Sequence, residues 1–306
     1  MILLWGIRAD EPMGAVAMAL EGRGVPYLMA GQQRVLDTAI EMCAGETVTG
    51  SLRVGRREVR LEDVTAAYVR PWDSQRMRAV ERTAKGSAER VQAAMLEDAL
   101  IGWSEVTPAL VVNRPSSMAS NNSKPYQTSI IAKCGFLTPC TLVTTDQDAV
   151  REFQSRHGQI IYKSLSGVRS IVKRLSADQE ERLPDVANCP TQFQEYVPGI
   201  DFRVHVIGST TYSCTITSSD TDYRYPSERT PEIRQCVLTP EVEAKCLDVA
   251  RTLGLVVAGI DLRRTAGGEW YCFEANPSPG FTFYEQATGW PMADAIAGLL
   301  ANGEKG

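Results

Sequence analysis

Histidine is almost missing from this 306-residue sequence: only His157 and His205 occur. The eight cysteines, at positions 43, 134, 140, 189, 214, 236, 246 and 272, form no C-x-x-C pair. These scarcities argue against a zinc cluster and against a Cys–His hydrolase. No apolar run approaches the roughly 18 residues that span a bilayer. The short apolar start, Met1 to Trp5, has no basic leader before it, so neither a membrane anchor nor a signal peptide is expected. Positive charge is not in excess: 32 Lys+Arg stand against 37 Asp+Glu, a net charge of -5. A phosphate backbone calls for a basic footprint, so a dedicated nucleic-acid binder is disfavoured. The one basic cluster, Arg53, Arg56, Arg57 and Arg60, alternates with apolar residues as on the wet face of a β-ribbon. What is present is ordinary globular usage, 43% hydrophobic and 23% charged, which excludes a disordered chain. The length is that of two domains or one large multi-lobed one. Thiols scattered on apolar segments read as reduced core cysteines of a cytoplasmic protein.

The first 112 residues read as a small α/β unit. Ile2–Trp5 is an apolar strand, and Pro12–Arg23 a helix with Asp10 at its N-cap and Gly24 at its end. Val25–Met29 then completes a β-α-β pattern. Two alternating runs, Thr47–Val54 and Glu58–Leu61, flank Gly55 and read as a hairpin. Ala67–Arg70 is a further strand. Ser87–Trp103 has helical periodicity, with Val91, Met95 and Leu100 on its apolar side. From Asn113 to Lys124, seven of twelve residues are Ser or Asn, which marks a loop or hinge and a domain boundary. Helices follow at Pro125–Cys134 and Asp146–His157, and strands at Leu137–Val143, Gln159–Lys163 and Arg169–Arg174. The small-residue run Ser164–Val168 between the last two suits a loop that closes over a ligand. The final third reads as strands Gln192–Val197, Asp201–Val206 and Thr210–Thr217, then a helix Pro240–Leu253. A hairpin of Val256–Arg263 and Glu269–Glu274 turns at Ala266-Gly267-Gly268, and Pro291–Ala301 is a closing helix.

That last hairpin carries the chemistry. Glu274 and Asn276 are two apart on one strand and point together. The hairpin brings Asp261 opposite them. Three hard oxygen donors with room for water and phosphate suit Mg²⁺ better than zinc. Two acids on a hairpin are equally a solvated pair, so the pair alone decides nothing.

The surrounding residues resemble the ATP-grasp ligases, especially ribosomal-protein glutamate ligases, D-alanine–D-alanine ligases and graspetide (microviridin-type) macrocyclases. The run Cys272-Phe273-Glu274-Ala275-Asn276-Pro277-Ser278-Pro279-Gly280 resembles that family's E-x-N metal signature with S-P-G after it. Gly135-Phe136-Leu137-Thr138-Pro139 resembles its G-F-x-x-P step, Ile161-Tyr162-Lys163 its second lysine, Gln194-Glu195-Tyr196-Val197-Pro198-Gly199 its hinge strand and Asp201-Phe202-Arg203 its D-x-R strand. Asp222-Tyr223-Arg224 resembles a D-Y-R segment of the graspetide enzymes. The loop after Lys163, with the single glycine Gly167, is shorter than in the glutamate and D-alanine ligases. The segment after Pro279 departs from the G-Q pattern of the macrocyclases.

The resemblance implies a mixed α/β (α+β) fold. A small N-terminal α/β pre-grasp domain, residues 1–112, would precede a two-lobed ATP-grasp domain, 113–306, with mostly antiparallel sheets, a central lobe 113–195 and a C-terminal lobe 196–306. It implies ATP and Mg²⁺, as a pair of ions, for cofactors. Lys124 and Lys163 would hold phosphates, Gln194, Glu195, Tyr196 and Val197 adenine, and Asp201 the ribose. Asp261, Glu274 and Asn276 would hold metal, Arg203 would stabilise the transferring phosphoryl group, and Arg263 would reach the same phosphates or the substrate. Each lysine is otherwise a surface lysine, Asp201 a turn residue and Arg203 a structural salt bridge. The attacking amine would lose its proton to Glu285 or water; His205 reads as a packing or substrate-side residue. The implied activity is ADP-forming ligation of a carboxylate to an amine or hydroxyl through an acyl phosphate. The partners would be ATP, a carboxylate substrate and an acceptor, a ribosomal precursor peptide among the candidates, with homo-oligomerisation left open. A small-molecule amino-acid ligase, a non-catalytic nucleotide-binding regulator and a plain phosphotransferase are the alternatives.

Overall fold

The computed structural model describes residues 1–164, 172–176, 179, 181–218 and 230–303. Seven strands belong to the first 112 residues: β1 (Ile2–Gly6), β2 (Tyr27–Gly31), β3 (Thr38–Ala44), β4 (Val48–Val54), β5 (Arg57–Arg60), β6 (Ala66–Arg70) and β7 (Leu110–Val112). The sheet β2-β1-β6-β7 is wholly parallel. Every residue of β1 and β7 is buried, as parallel strands covered on both faces require. Helix Glu11–Gly22 makes the crossover from β1 to β2. Asp10 sits at its N-cap but makes no capping bond, because its carboxylate accepts from Arg70 Nε at 2.9 Å. Strands β3-β4-β5 form a separate antiparallel ribbon, and Arg53, Arg56, Arg57 and Arg60 lie exposed on it and its turn. Helix Ala88–Val106 buries Ala93, Leu96, Leu100 and Trp103, while Val91 and Met95 face solvent. The expected apolar side is thus corrected: the stripe that includes Trp103 buries more area and sets the helix's rotation.

Four strands form the next sheet, β10-β9-β11-β8: β8 (Thr141–Thr144), β9 (Ile160–Ser164), β10 (Lys173–Arg174) and β11 (Thr191–Glu195). Phe193, Ile160, Val150, Leu183 and Val186 form its core. By strand alternation Gln192, Gln194 and Lys163 take the opposite face. Of the expected strand 169–174, residues 172–174 are described and Lys173–Arg174 form β10; Gly167 and Asp222-Tyr223-Arg224 lie outside the described residues.

The last sheet, β14-β13-β12-β15-β16, is antiparallel throughout: β12 (Ile200–Ile207), β13 (Thr210–Thr217), β14 (Glu232–Cys236), β15 (Val257–Arg264) and β16 (Trp270–Asn276). One face packs Val204, Val206, Ile260 and Leu262 against helix Pro240–Thr252. The other face carries Arg203, with Ile207, Cys214 and Ile216 packed toward Phe281, Tyr284 and helix Met292–Asn302. Helix Glu11–Gly22 joins the same core, and Arg23 holds Asp294 through two bonds of 2.7 and 2.6 Å.

Edge strand β16 is covered. Leu137 N donates to Trp270 O at 3.1 Å and Leu137 O accepts from Cys272 N at 2.9 Å. Gln127, on helix Lys124–Lys133, donates to Ala275 O at 2.8 Å and accepts from Ala275 N at 3.1 Å. A side-chain amide therefore continues the ladder and fixes the helix against the strand. Gln127→Ala strips two buried backbone groups of their partners, at about 1–3 kcal/mol each. The expected result is a lowered urea midpoint with an unchanged slope; an unchanged midpoint would contradict this role. Asn113 does the same work at the boundary segment. Its Nδ2 donates to Val257 O and Pro277 O, both at 2.6 Å, and its Oδ1 accepts from Val256 N and Val257 N.

All eight cysteines are free thiols. Cys214, Cys246 and Cys272 are core residues, but Cys43, Cys140 and Cys189 are exposed. The expectation of core cysteines thus fails for those on the edge ribbon and in the loops flanking β8 and β11. Among the described residues no helix is long and apolar enough to cross a membrane.

Candidate active site

Register places the sequence-derived residues side by side. Arg203 on β12 lies opposite Asp261 on β15, which lies opposite Glu274 on β16. Directly opposed residues share a face, so the three form one row across three strands. Arg203 Nη1 donates to Asp261 Oδ1 at 2.6 Å, and the arginine side chain is only 6% exposed. The row ends on Lys124, whose Nζ lies 3.1 Å from Glu274 Oε2 and donates to Asn121 Oδ1 at 2.9 Å. Lys124 stands one turn before Gln127, so the amide that docks the helix also aims the lysine.

Burial would raise the Glu274 carboxyl, but Lys124, then Lys163 and Arg203, more than offset it and hold the carboxyl below its ordinary value. It therefore stays ionised, an anion among three cations. Lys163 projects from β9, opposite Gln192 of β11, and its charge reaches Glu274 across the two sheets. Asn276, opposite Gly259, accepts at Oδ1 from Ser278 N at 2.9 Å. That bond orients the side chain and shapes the Pro277–Gly280 turn. Hard oxygens on Asp261, Glu274 and Asn276, with Asp261 and Glu274 about one-third and one-quarter exposed, fit Mg²⁺.

A second row lies two residues along. Asp201 is opposite Arg263, and Arg263 grips it with Nε and Nη2 at 2.6 and 2.9 Å. Its Nη1 donates to Val197 O at 2.7 Å, and the guanidinium stacks over Phe273 and Tyr196. Arg263 is thereby turned toward the Gln194–Val197 strand instead of toward Arg203. Its bidentate partner Asp201 holds it at the hinge. The hinge itself is tied down. Tyr196 OH accepts from Arg174 Nη2 at 2.7 Å, and Gln194 Nε2 donates to Thr141 Oγ1 at 3.0 Å. Glu195 is partly buried and lines the cavity beside Tyr196 and Val197. It accepts from Cys140 N at 3.0 Å and approaches His157 Nδ1 to 3.5 Å.

His205 is fully enclosed, and burial, helped by Arg203, drives its imidazole well below the ordinary value. The neutral ring accepts from Arg203 Nε at 3.4 Å, which supports the packing reading. Glu285 accepts from Ala293 N at 2.9 Å and so caps helix Met292–Asn302.

Several contributing residues escaped the sequence. Gly259 is the sharpest case: a Cβ there would lie 2.0 Å from Arg203 Nη2 and 2.8 Å from Pro279 Cβ. The missing side chain is the space the guanidinium occupies. Gly259→Ala is expected to cost about 1–3 kcal/mol of stability through overpacking, read from the denaturation midpoint; a neutral effect would show that the arginine has another place to go. Phe273 marks a register shift in the β15–β16 pairing, a bulge that lets it and Glu274 both serve the site. Arg70 reaches from the end of β6 to Ser278 Oγ at 2.8 Å and Pro279 O at 3.3 Å, joining the parallel sheet to the turn after Asn276.

Known proteins share this fold. A family model described as the RimK-like ATP-grasp domain matches residues 121–300. A probable alpha-L-glutamate ligase of Alkalilimnicola ehrlichii is 27% identical over 207 residues, 64% of this chain and 68% of that protein. Beta-citrylglutamate synthase B of Danio rerio is 28% identical over 204 residues, 62% of this chain and 50% of that protein. The chain thus spans from half to about two-thirds of the length of these curated relatives. Among solved structures, a RiPP-associated ATP-grasp ligase of Chryseobacterium gregarium, in complex with ADP and a leader and core peptide, has a TM-score of 0.84 at 22% identity, over 99% of this chain and 97% of that one. Macrocyclase MdnC of Microcystis aeruginosa MRC, bound with precursor peptide MdnA, has a TM-score of 0.80 at 22% identity, over 98% and 99%.

Proposed function

The chain belongs to the RimK-like ATP-grasp domain family, and from that premise we propose that it is an ADP-forming carboxylate ligase that modifies a peptide. The observation that carries the proposal is the row Lys124–Glu274–Asp261–Arg203, two neighbouring carboxylates flanked by a cation at each end.

In this reading the γ-phosphoryl group of ATP passes to a substrate carboxylate oxygen, the bond to the β-phosphate oxygen breaks, and ADP leaves. An amine or hydroxyl then attacks the acyl carbon, phosphate departs, and the nucleophile's proton goes to solvent. Lys124 and Lys163 bind and orient the triphosphate as fixed cations. Arg203, pre-oriented by Asp261 and His205, places its guanidinium where phosphoryl charge builds. Asp261, Glu274 and Asn276 would hold Mg²⁺, which supplies charge neutralisation on the phosphate oxygens when bound. Asp201 would accept from the ribose hydroxyls and is held by Arg263, which keeps the hinge carbonyl of Val197 in place. Residues 1–112 form the receiving lobe in this reading and 113–306 the grasp domain, divided at about 195. The eight free thiols support a reducing, cytoplasmic setting.

The likeness of the whole chain to peptide-bound ligases, receiving lobe included, supports a peptide substrate. The similarity over the grasp region to glutamate-adding enzymes supports a second reading, ligation of a free amino acid. An intact row of charged residues favours turnover over a purely regulatory role. The test is ADP release with Mg²⁺ across acidic peptides bearing Lys, Ser or Thr and across free amino acids, with mass spectrometry of the products. A peptide that loses one water per bond formed is the expected result. A stable phosphorylated product, or no ADP above background with any acceptor, would sink the proposal.

A further inference from the structure

Away from the Lys124–Arg203 row, three side chains meet at the start of edge strand β8. Cys140 precedes that strand, His157 ends helix Gln147–His157, and Glu195 ends β11. Cys140 Sγ, an imidazole nitrogen of His157 and a carboxylate oxygen of Glu195 all lie within 4.8 Å of one another. It is the one such group of three His, Cys, Asp or Glu ligands among the described residues. Positions 140, 157 and 195 are too far apart in sequence to register as a motif, and only the fold assembles them.

The framework around them is well held. Glu195 N donates to Cys140 O at 3.0 Å, and Cys140 N donates to Glu195 Oε1 at 3.0 Å. Glu195 Oε2 lies 3.5 Å from His157 Nδ1. The His157 ring packs on Phe153 with centroids 4.4 Å apart. Tetrahedral zinc, with bonds of about 2.0–2.3 Å, keeps its donors roughly 3.3–3.8 Å apart. Lying within 4.8 Å of one another, the three donors stand at most about 1 Å beyond that range. One sulfur, one nitrogen and one oxygen donor match a borderline-soft cation, whereas Mg²⁺ prefers oxygen throughout.

We propose that Cys140, His157 and Glu195 form a binding site for a thiophilic divalent cation of the zinc class, with water in the fourth position. On binding, the Cys140 S–H bond is replaced by a sulfur–metal bond and the proton passes to solvent; no electron moves. The site stands independently of the ligase reading. Glu195 directly precedes Tyr196 of the hinge, so an occupying cation fastens the end of helix Gln147–His157 to the start of that segment.

The test uses the full chain in buffer with excess Mg²⁺, which occupies the all-oxygen donors. Zn²⁺ titrated against a chromophoric chelator is expected to bind at one per chain, in the micromolar range or tighter. Co²⁺ in its place is expected to give thiolate-to-cobalt charge-transfer absorption. Cys140→Ser removes that band, and Cys140→Ser and His157→Gln each weaken zinc binding by about tenfold to 100-fold or more. Cys43→Ser, at an exposed thiol elsewhere, leaves both readouts unchanged. Absence of the cobalt band in the unaltered protein overturns the assignment without any variant. So does zinc binding that survives both substitutions.

Discussion

Glu274→Gln is expected to lower Mg²⁺-dependent ADP formation by about 100-fold to 1,000-fold or more while leaving the protein folded. The substitution keeps the shape of the side chain and removes its charge. Lys124 stands 3.1 Å from that carboxylate, and Lys163 and Arg203 also act on it. An amide in its place leaves three cations facing one another with less to balance them, and it offers a divalent cation a weaker oxygen. The measurement is initial ADP release against Mg²⁺ concentration, with circular dichroism as the check on folding. A variant that keeps wild-type turnover at ordinary Mg²⁺ would remove Glu274 from the metal set. One that recovers fully at high Mg²⁺ would confine its role to affinity.

For Arg203→Ala the expected result is a fall in kcat of about 100-fold to 1,000-fold with ATP affinity changed only a few-fold. Arg203 is buried against Asp261, His205 and the Tyr284 ring, so alanine also leaves Asp261 without a partner and lowers stability. Arg203→Lys separates the two effects. It keeps the charge beside Asp261 but lacks the planar fork, so it should fold well and still turn over slowly. Loss of nucleotide binding with an unchanged chemical step would contradict the assignment.

Much of this site could be read from the chain before any coordinates. The hairpin was legible because Ala266-Gly267-Gly268 separates two alternating runs, and period-two alternation puts Glu274 and Asn276 together. The order of β12 and β13 was legible for the same reason, with Gly208, at φ +59°, at the turn. Other strands were not. Strand β3 runs along an exposed ribbon, and β7 is only three residues long. Strand β14 was missed as well, and its alternation of exposed and half-buried residues gives little apolar contrast. Helix Thr282–Thr288 hides behind Pro279 and Gly280 and ends at Gly289, too short for periodicity to build. The side-chain partners of Arg263, Glu195 and Glu285 were illegible for a different reason. A charged side chain's partner depends on which strand or helix lies beside it, and Asp201 is 62 positions from Arg263. Gly259 is the extreme case. A glycine within a strand signals a close approach, but not by what, and the intruding arginine is 56 residues away.

The two charged rows share strands β12 and β15, and this makes the sheet a ruler. Asp201 and Arg203 are separated by two residues of extended chain, about 7 Å, and the ladder to β15 prevents that interval from stretching. A ligand that engages both ends must match a fixed length. A shorter one would fill one station and leave the other vacant.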